Sequence, residues 1–350
     1  MILQRIEKIF NALNADAVFT TADDLRFYLT GFESTFGCVL TDKNGTTFYT
    51  DSRYLEAAQK KLSPAGVKVE EMPRGKRPSD LLEGYKKVAV PFSKITAGEY
   101  LAYSKKAELC DSAAAFDDAM AIKEQCELDC IKAACEVTDK SFVQLLGRIK
   151  EGMSENDLAA ELEYLMRLNG ASGTSFSTIA AFGKNASVPH HETGSDKLKF
   201  GDSILIDFGC KVGGYCSDCT RTFLFGDDKK HEEFKKAYAD VLKAHMLVKE
   251  KLACGMTGGQ ADAIARDYLK TRGLDKYFTH ALGHGVGVNI HEAPKVSPKS
   301  EDVLKDGMVF SDEPGVYIAG ELGIRIEDTV TLEGGKAVSL TDSDKKLLIL

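Results

Sequence analysis

No long segment of this 350-residue chain offers a neutralising basic face, and its formal net charge is −8. Binding to nucleic acid needs a neutralising basic face, so that class of partner is not expected. No apolar run approaches the roughly 20 residues that a membrane-spanning helix requires, and no membrane partner is expected either. The opening MILQRIEKIFNAL is interrupted by Arg5, Glu7 and Lys8. Without an unbroken apolar stretch it reads as an amphipathic helix and not as a signal peptide. A compact cysteine framework is also missing. The nine cysteines are scattered, which suits a reducing compartment, and a cytoplasmic location follows as the expectation. Cys126, Cys130 and Cys135 read as small buried residues of a helix. Cys216-Ser-Asp-Cys219 has the C-x-x-C spelling, yet a structural zinc would want a second such pair and the chain has none.

What is present is ordinary globular material, 43% hydrophobic and 28% charged, long enough for two cores. The first third alternates helix-like and strand-like pieces. FGCVLTDKNGTTFYTD reads as a hairpin turning on Asp-Lys-Asn-Gly, DSRYLEAAQKKL as a helix and KVAVPF as a strand. This makes a small α/β domain. From about Ile122 the texture changes. A long helical run from Glu124 is broken by Gly152, and SENDLAAELEYLMRLNG is a second helix with Ser154 as its N-cap candidate. Beyond residue 175 the chain is strand-rich, with further helices around 231–252 and 258–272. His231 and His245 fall in charged helical stretches and read as surface residues.

Three of the seven histidines crowd into residues 280–294, HALGHGVGVNIHEAP. Upstream, DSILIDFGCKVGGYCSDCTRTFLFG holds two strand-like runs around Lys-Val-Gly-Gly. A turn centred on Val212 and Gly213 pairs Lys211 with Gly214, which puts Asp207 directly across from Asp218. Their Cβ atoms would then lie roughly 4.5–5.5 Å apart. Two like charges among Ile, Leu and Phe are destabilising unless a shared proton or a bound cation compensates them. The alternative is a turn elsewhere, with both aspartates solvated. Carboxylates beside imidazole suit Mn, Co, Zn or Fe(II). Two more acids are available. Glu313 ends a strand just before Pro-Gly, and Glu327 lies mid-strand in GIRIEDTVTL, where its bland reading is an ion pair with Arg325.

The ordered set of Asp207, Asp218, His284 in a GHG, Glu313 in EPG and Glu327 in GIRIED resembles the ligands of the pita-bread metallopeptidases. These are the relatives of methionine aminopeptidase, aminopeptidase P, prolidase and creatinase. The match covers most of residues 120–350, and the segment with DLRFYLTGF and TDSRYLEAA resembles the accessory domain of the prolidase and aminopeptidase P branch. The resemblance implies an α/β creatinase-like domain over 1–121, followed by an α+β pita-bread catalytic domain over 122–350. It implies two divalent ions (Mn, Co or Zn), with Asp207 on one, Asp218 and Glu327 bridging both, and His284 and Glu313 completing the second. A hydroxide bridging the ions would then hydrolyse the bond between an N-terminal residue and a following proline.

By the same resemblance His190, in ASVPHHETG, lies near the substrate, and His291 assists the tetrahedral intermediate. His190 or His291 would donate to the oxyanion, and Glu313 would shuttle the proton. His280 would be a second layer around the ligands or a wall of the pocket. The glycines at 283, 285 and 287 would let backbone approach the ions. Arg325 and Lys295 are candidates for binding a substrate carboxylate. Prolidase-type relatives often carry arginine where this chain has Lys295, which favours longer Xaa-Pro peptides over dipeptides alone. A homodimer is common among such relatives. The rivals are a creatinase-like amidinohydrolase, or a relative turned binding module, and both branches lose the ligand set that this chain keeps.

Overall fold

A computed structural model describes residues 2–227 and 231–350. The chain forms two compact units, Met1–Met120 and Ala121–Leu350. The first unit runs α1 (Ile2–Asn11), β1 (Ala17–Thr20), α2 (Asp23–Thr30), β2 (Cys38–Asp42), β3 (Gly45–Thr50), α3 (Leu55–Leu62), β4 (Lys68–Glu71), β5 (Lys87–Val90), α4 (Ala97–Tyr103), β6 (Glu108–Asp111) and α5 (Ala113–Ala121). Its strands make one mixed sheet in the order β4-β3-β2-β1-β5-β6. The β2–β3 hairpin turns on Lys43 and Asn44, with Asp42 across from Gly45. The Asp42 carboxylate accepts the Asn44 N–H at 2.7 Å, the local bond that makes aspartate a turn residue. Phe19, Phe48, Leu82 and Val88 close the core of this unit.

The second unit opens on α6 (Gln125–Leu146) and α7 (Glu155–Leu168). The first ends at Gly147 and not at Gly152, since glycine already makes a poor helical residue at the earlier position. Ser154 caps α7 as its sequence indicates. Its hydroxyl accepts from Asp157 N at 3.0 Å while Asp157 accepts from Ser154 N at 2.8 Å. Leu158, Leu162 and Leu165 recur along one face of α7 and are buried against Phe142, Leu145, Ile204 and Ile206. Each contributes about 1.5–3 kcal/mol relative to exposure, as an upper estimate.

Strands β7 (Gly173–Thr174), β8 (Ile179–Phe182), β9 (Asp202–Phe208), β10 (Cys210–Val212), β11 (Tyr215–Cys216) and β12 (Cys219–Phe225) follow. Then come α8 (Glu232–Lys251), α9 (Gly258–Thr271), β13 (Gly283–Gly285), β14 (Glu292–Val296), β15 (Val309–Asp312), β16 (Gly315–Ile318), β17 (Leu322–Arg325), β18 (Asp328–Glu333) and β19 (Lys336–Ser339). Among the described residues the main sheets are β12-β9-β8 and β14-β13-β15-β18-β19. The α6–α7 pair packs on the first. The α8–α9 pair packs on the second through Val241, Ala244, Val248, Ala261, Ala265 and Leu269, against Phe310, Val330 and Leu332. The sheets are joined where Glu327 N donates to Thr220 O at 3.1 Å and Asp218 N to Thr329 Oγ1 at 3.0 Å.

Candidate active site

Asp207 lies near the end of β9, opposite Thr220 and not opposite Asp218. The turn is one step further along than Val212-Gly213: Val212 pairs with Tyr215, and Gly213 and Gly214 are its central residues. Both have positive φ, 59° and 84°. A two-residue turn of that kind needs positive φ at both centres, which valine resists and glycine accepts. The register therefore shifts by two, which preserves the face. Asp218 sits on the side of Thr220, diagonal to Asp207, and both aspartates line the same cavity. Asp218 is fastened by Thr329, whose hydroxyl donates to Asp218 O at 2.8 Å and accepts from its N–H.

His284 stands in the middle of β13. A Cβ on Gly283 would come within 1.9 Å of Ser311 O, and one on Gly285 within 2.2 Å of Ala293 O. Gly283 and Gly285 thus admit neighbouring backbone to the histidine's flanks, whereas a Cβ on Gly287 would meet the Glu292 carboxylate. His284 Nδ1 donates to Gly285 O at 3.2 Å, leaving the Nε2 lone pair outward. That nitrogen lies 3.4 Å from Glu313 and 3.6 Å from Asp218. Burial, and then His291, lower the His284 pKa to about 4, so the ring is a neutral donor.

Glu313 follows β15, and Ser311 Oγ donates to it at 3.0 Å. Glu327 falls in the break between β17 and β18, not in mid-strand, where Thr220 Oγ1 donates to its carboxylate. Burial raises Glu313 to about 8, with Asp207 adding to the rise. Burial and repulsion among the acids lift Asp218 and Glu327 well above ordinary carboxylates.

Arg325 is not the partner of Glu327. Its Nη2 bonds Asp207 at 2.6 Å, Nη1 donates to Tyr317 Oη at 2.7 Å and to Pro189 O at 3.3 Å, and Nε donates to Thr220 Oγ1 at 3.0 Å. Tyr317 in turn donates to His280 Nε2 at 2.9 Å, while His280 Nδ1 donates to Ala281 O at 2.8 Å. Both nitrogens of His280 are spent, and burial, then Arg325, lower it to about 4. It lines the cavity with no ring nitrogen left free.

Every expected site residue except Lys295 lines one cavity of about 480 Å³. His190 and His291 lie on its exposed rim, and the His284 and His291 rings stand 4.2 Å apart. Lys295 is exposed on β14 and does not reach the cavity. Phe176, Ile179 and Ile290 supply an apolar wall. Phe176 and Ile179 lie outside the quoted motifs and carry no sequence signal of their own, whereas Ile290 adjoins His291. His191, next to His190, is held by the buried Glu155 at 2.8 Å.

The donor set fits divalent cations. Asp218, His284 and Glu327 offer atoms within 4.8 Å of one another, and the buried Asp207 Oδ1 has no hydrogen-bond partner.

His231 and His245 depart from the surface reading. His231 is buried and bonds Gly201 O at 2.9 Å. His245 is fully buried with Asp312 and Asp328. Burial pulls its pKa down, but Asp312 and then Asp328 lift it to about 9. The helical spacing of Phe234, Val241, His245 and Val248 holds the signal that would have found it.

Residues 129–333 match the model of metallopeptidase family M24. The chain belongs to that family. As an M24 protein it also carries a creatinase/prolidase N-terminal domain, matched over residues 2–126. It is 32% identical to the Xaa-Pro dipeptidase of Pyrococcus horikoshii, covering 99% of both chains. It is 36% identical to a putative Xaa-Pro aminopeptidase of Mycoplasma pneumoniae, over 96% of this chain and 95% of that one. Among solved structures, an Xaa-Pro dipeptidase from Bacillus anthracis superposes with a TM-score of 0.93 at 33% identity, covering 100% of this chain and 99% of the other.

Proposed function

We propose that this M24 protein hydrolyses the bond between an N-terminal residue and a following proline with two divalent ions of the Mn, Co or Zn type. The observation that carries the reading is the convergence of Asp218, His284 and Glu327. The names of its relatives, Xaa-Pro dipeptidase and Xaa-Pro aminopeptidase, support it. Asp207 would serve one ion, Asp218 and Glu327 both, and His284 and Glu313 the other. Bound ions would supply hydroxide near neutral pH and polarise the scissile carbonyl.

The chain's own residues do the rest. Glu313 takes a proton from the attacking water and returns it to the leaving nitrogen. His291 or His190, at the rim, donates to the oxyanion. Proline's nitrogen has no N–H to recognise, so selection falls to shape, and Phe176, Ile179 and Ile290 provide the surface for it. The nine free cysteines support a cytoplasmic setting.

The terminal carboxylate of a dipeptide would want a free cation. Arg325 is the one lysine or arginine among the described lining residues, and it is committed to Asp207. We therefore favour longer Xaa-Pro peptides, the aminopeptidase specificity. The dipeptidase reading is favoured instead by the Pyrococcus horikoshii and Bacillus anthracis relatives. Assaying Ala-Pro, Ala-Pro-Ala and Met-Ala-Ser with added Mn or Co separates them. Cleavage of Ala-Pro-Ala is expected. Turnover of Ala-Pro alone would mean a dipeptidase, and turnover of Met-Ala-Ser would overturn proline selection.

A further inference from the structure

We propose that His245 is a positioning residue that sets the spacing of Glu313 and Glu327, and through it the grip of the site on its cations. The inference rests on the metal-centre reading above. Strands β15 and β18 pair antiparallel, with Asp312 directly across from Asp328. Glu313 and Glu327 are the sequence neighbours of those aspartates. Both glutamates line the cavity, and neither aspartate does. Each acid ligand therefore leaves the sheet from the residue beside a buried carboxylate.

Directly opposed carboxylates in a buried sheet push their strands apart. His245 reaches between them from α8, with Nδ1 3.0 Å from Asp312 and Nε2 3.4 Å from Asp328. Asp328 also has Arg221 and Lys345, each at 2.9 Å. Asp312 has His245 as its one ion-pair partner among the described residues. Arg221 additionally donates to Glu327 O. The imidazole thus clasps two strand ends from behind, at the level where the ligands depart in front. It touches neither substrate nor ligand, and acts through the backbone of its partners' neighbours.

The test compares wild type with His245→Gln, which retains one donor, and with Asp312→Asn, which relieves the opposition while loosening the Glu313 side. Circular dichroism reports folding, calorimetric titration with Mn²⁺ reports affinity, and the visible spectrum of bound Co²⁺ reports ligand geometry. His245→Gln is expected to fold, to bind Mn²⁺ roughly 10- to 100-fold more weakly, and to show an altered cobalt spectrum. Asp312→Asn should shift both readouts in the same direction by less. A folded His245→Gln variant with wild-type affinity and an unchanged cobalt spectrum would overturn the inference and leave the metal-centre reading standing. If neither variant folds, His245 serves the fold alone and the inference is again overturned. Wild type that takes up no cobalt would sink the metal-centre reading, and this inference with it.

Discussion

One hydrogen bond on the inner nitrogen of His284 decides what the outer nitrogen can do. With Nδ1–H held by Gly285 O, Nε2 faces Glu313 and Asp218 as a neutral lone pair. The same logic removes His280 from the chemistry, because Tyr317 and Ala281 O occupy both of its nitrogens. His291 is left on the rim, where the proposed mechanism has it act on substrate. His291→Ala should therefore keep its bound metal and lose roughly 10²- to 10³-fold in kcat, the usual loss of one oxyanion donor. Asp218→Asn should lose metal and turnover together. Metal analysis beside steady-state kinetics separates the two variants. Metal loss in His291→Ala, or near-normal turnover in Asp218→Asn, would mean that the roles are misassigned.

At the scale of elements, one buried carboxylate gathers four bonds from the loop bearing His190. Glu155, one residue inside α7, accepts from Phe182 N at 2.9 Å, Gly194 N at 3.0 Å and Asn185 Nδ2 at 2.9 Å, and it pairs with His191. Glu155→Gln swaps one acceptor for a donor facing donors, at a cost of about 1–3 kcal/mol. Amides of residues 182–194 should then exchange faster with solvent, while those of α8 keep their rate. Unchanged exchange in the loop would show that Glu155 does not hold it. Sequence reached these elements unevenly. Helices α7 and α9, the β2–β3 hairpin and the acid-histidine set were legible because capping, turn chemistry and local motifs are written in adjacent residues. The register of β9 on β12 was misread by two because two neighbouring turns compete, and only the positive φ of both glycines separates them. The break at Glu327, the commitment of Arg325 to Asp207 and the pairing of His245 with Asp312 depend on contacts more than 60 residues away in sequence, which no local pattern states, whereas the burial of His245 was open to its helical spacing.

Over the whole molecule, the crowded acids make stability depend on pH in an unusual sense. Glu313 rises from an ordinary 4.5 to about 8 by burial. Between those values the folded, metal-free chain holds a proton that the unfolded chain has released, so its stability falls as pH rises through that window. Asp218 and Glu327, shifted the same way, add to the trend. Cations favour the ionised acids and should reverse it. His280 and His284, lowered to about 4, work the other way below their ordinary 6.5. Melting of chelated protein is thus expected to show a Tm that declines from about pH 6.5 to 8, with the largest rescue by Mn²⁺ at the upper end. A chelated Tm that climbs over that range would contradict the electrostatic picture of the site. The hydroxyls around these acids carry a further consequence. One oxygen each from Thr220, Ser311 and Thr329 holds Glu327, Glu313 and Asp218 in place. Evolutionary drift is therefore most hazardous here where it looks mildest: exchanging threonine for isosteric valine would leave the silhouette intact and let a ligand swing loose.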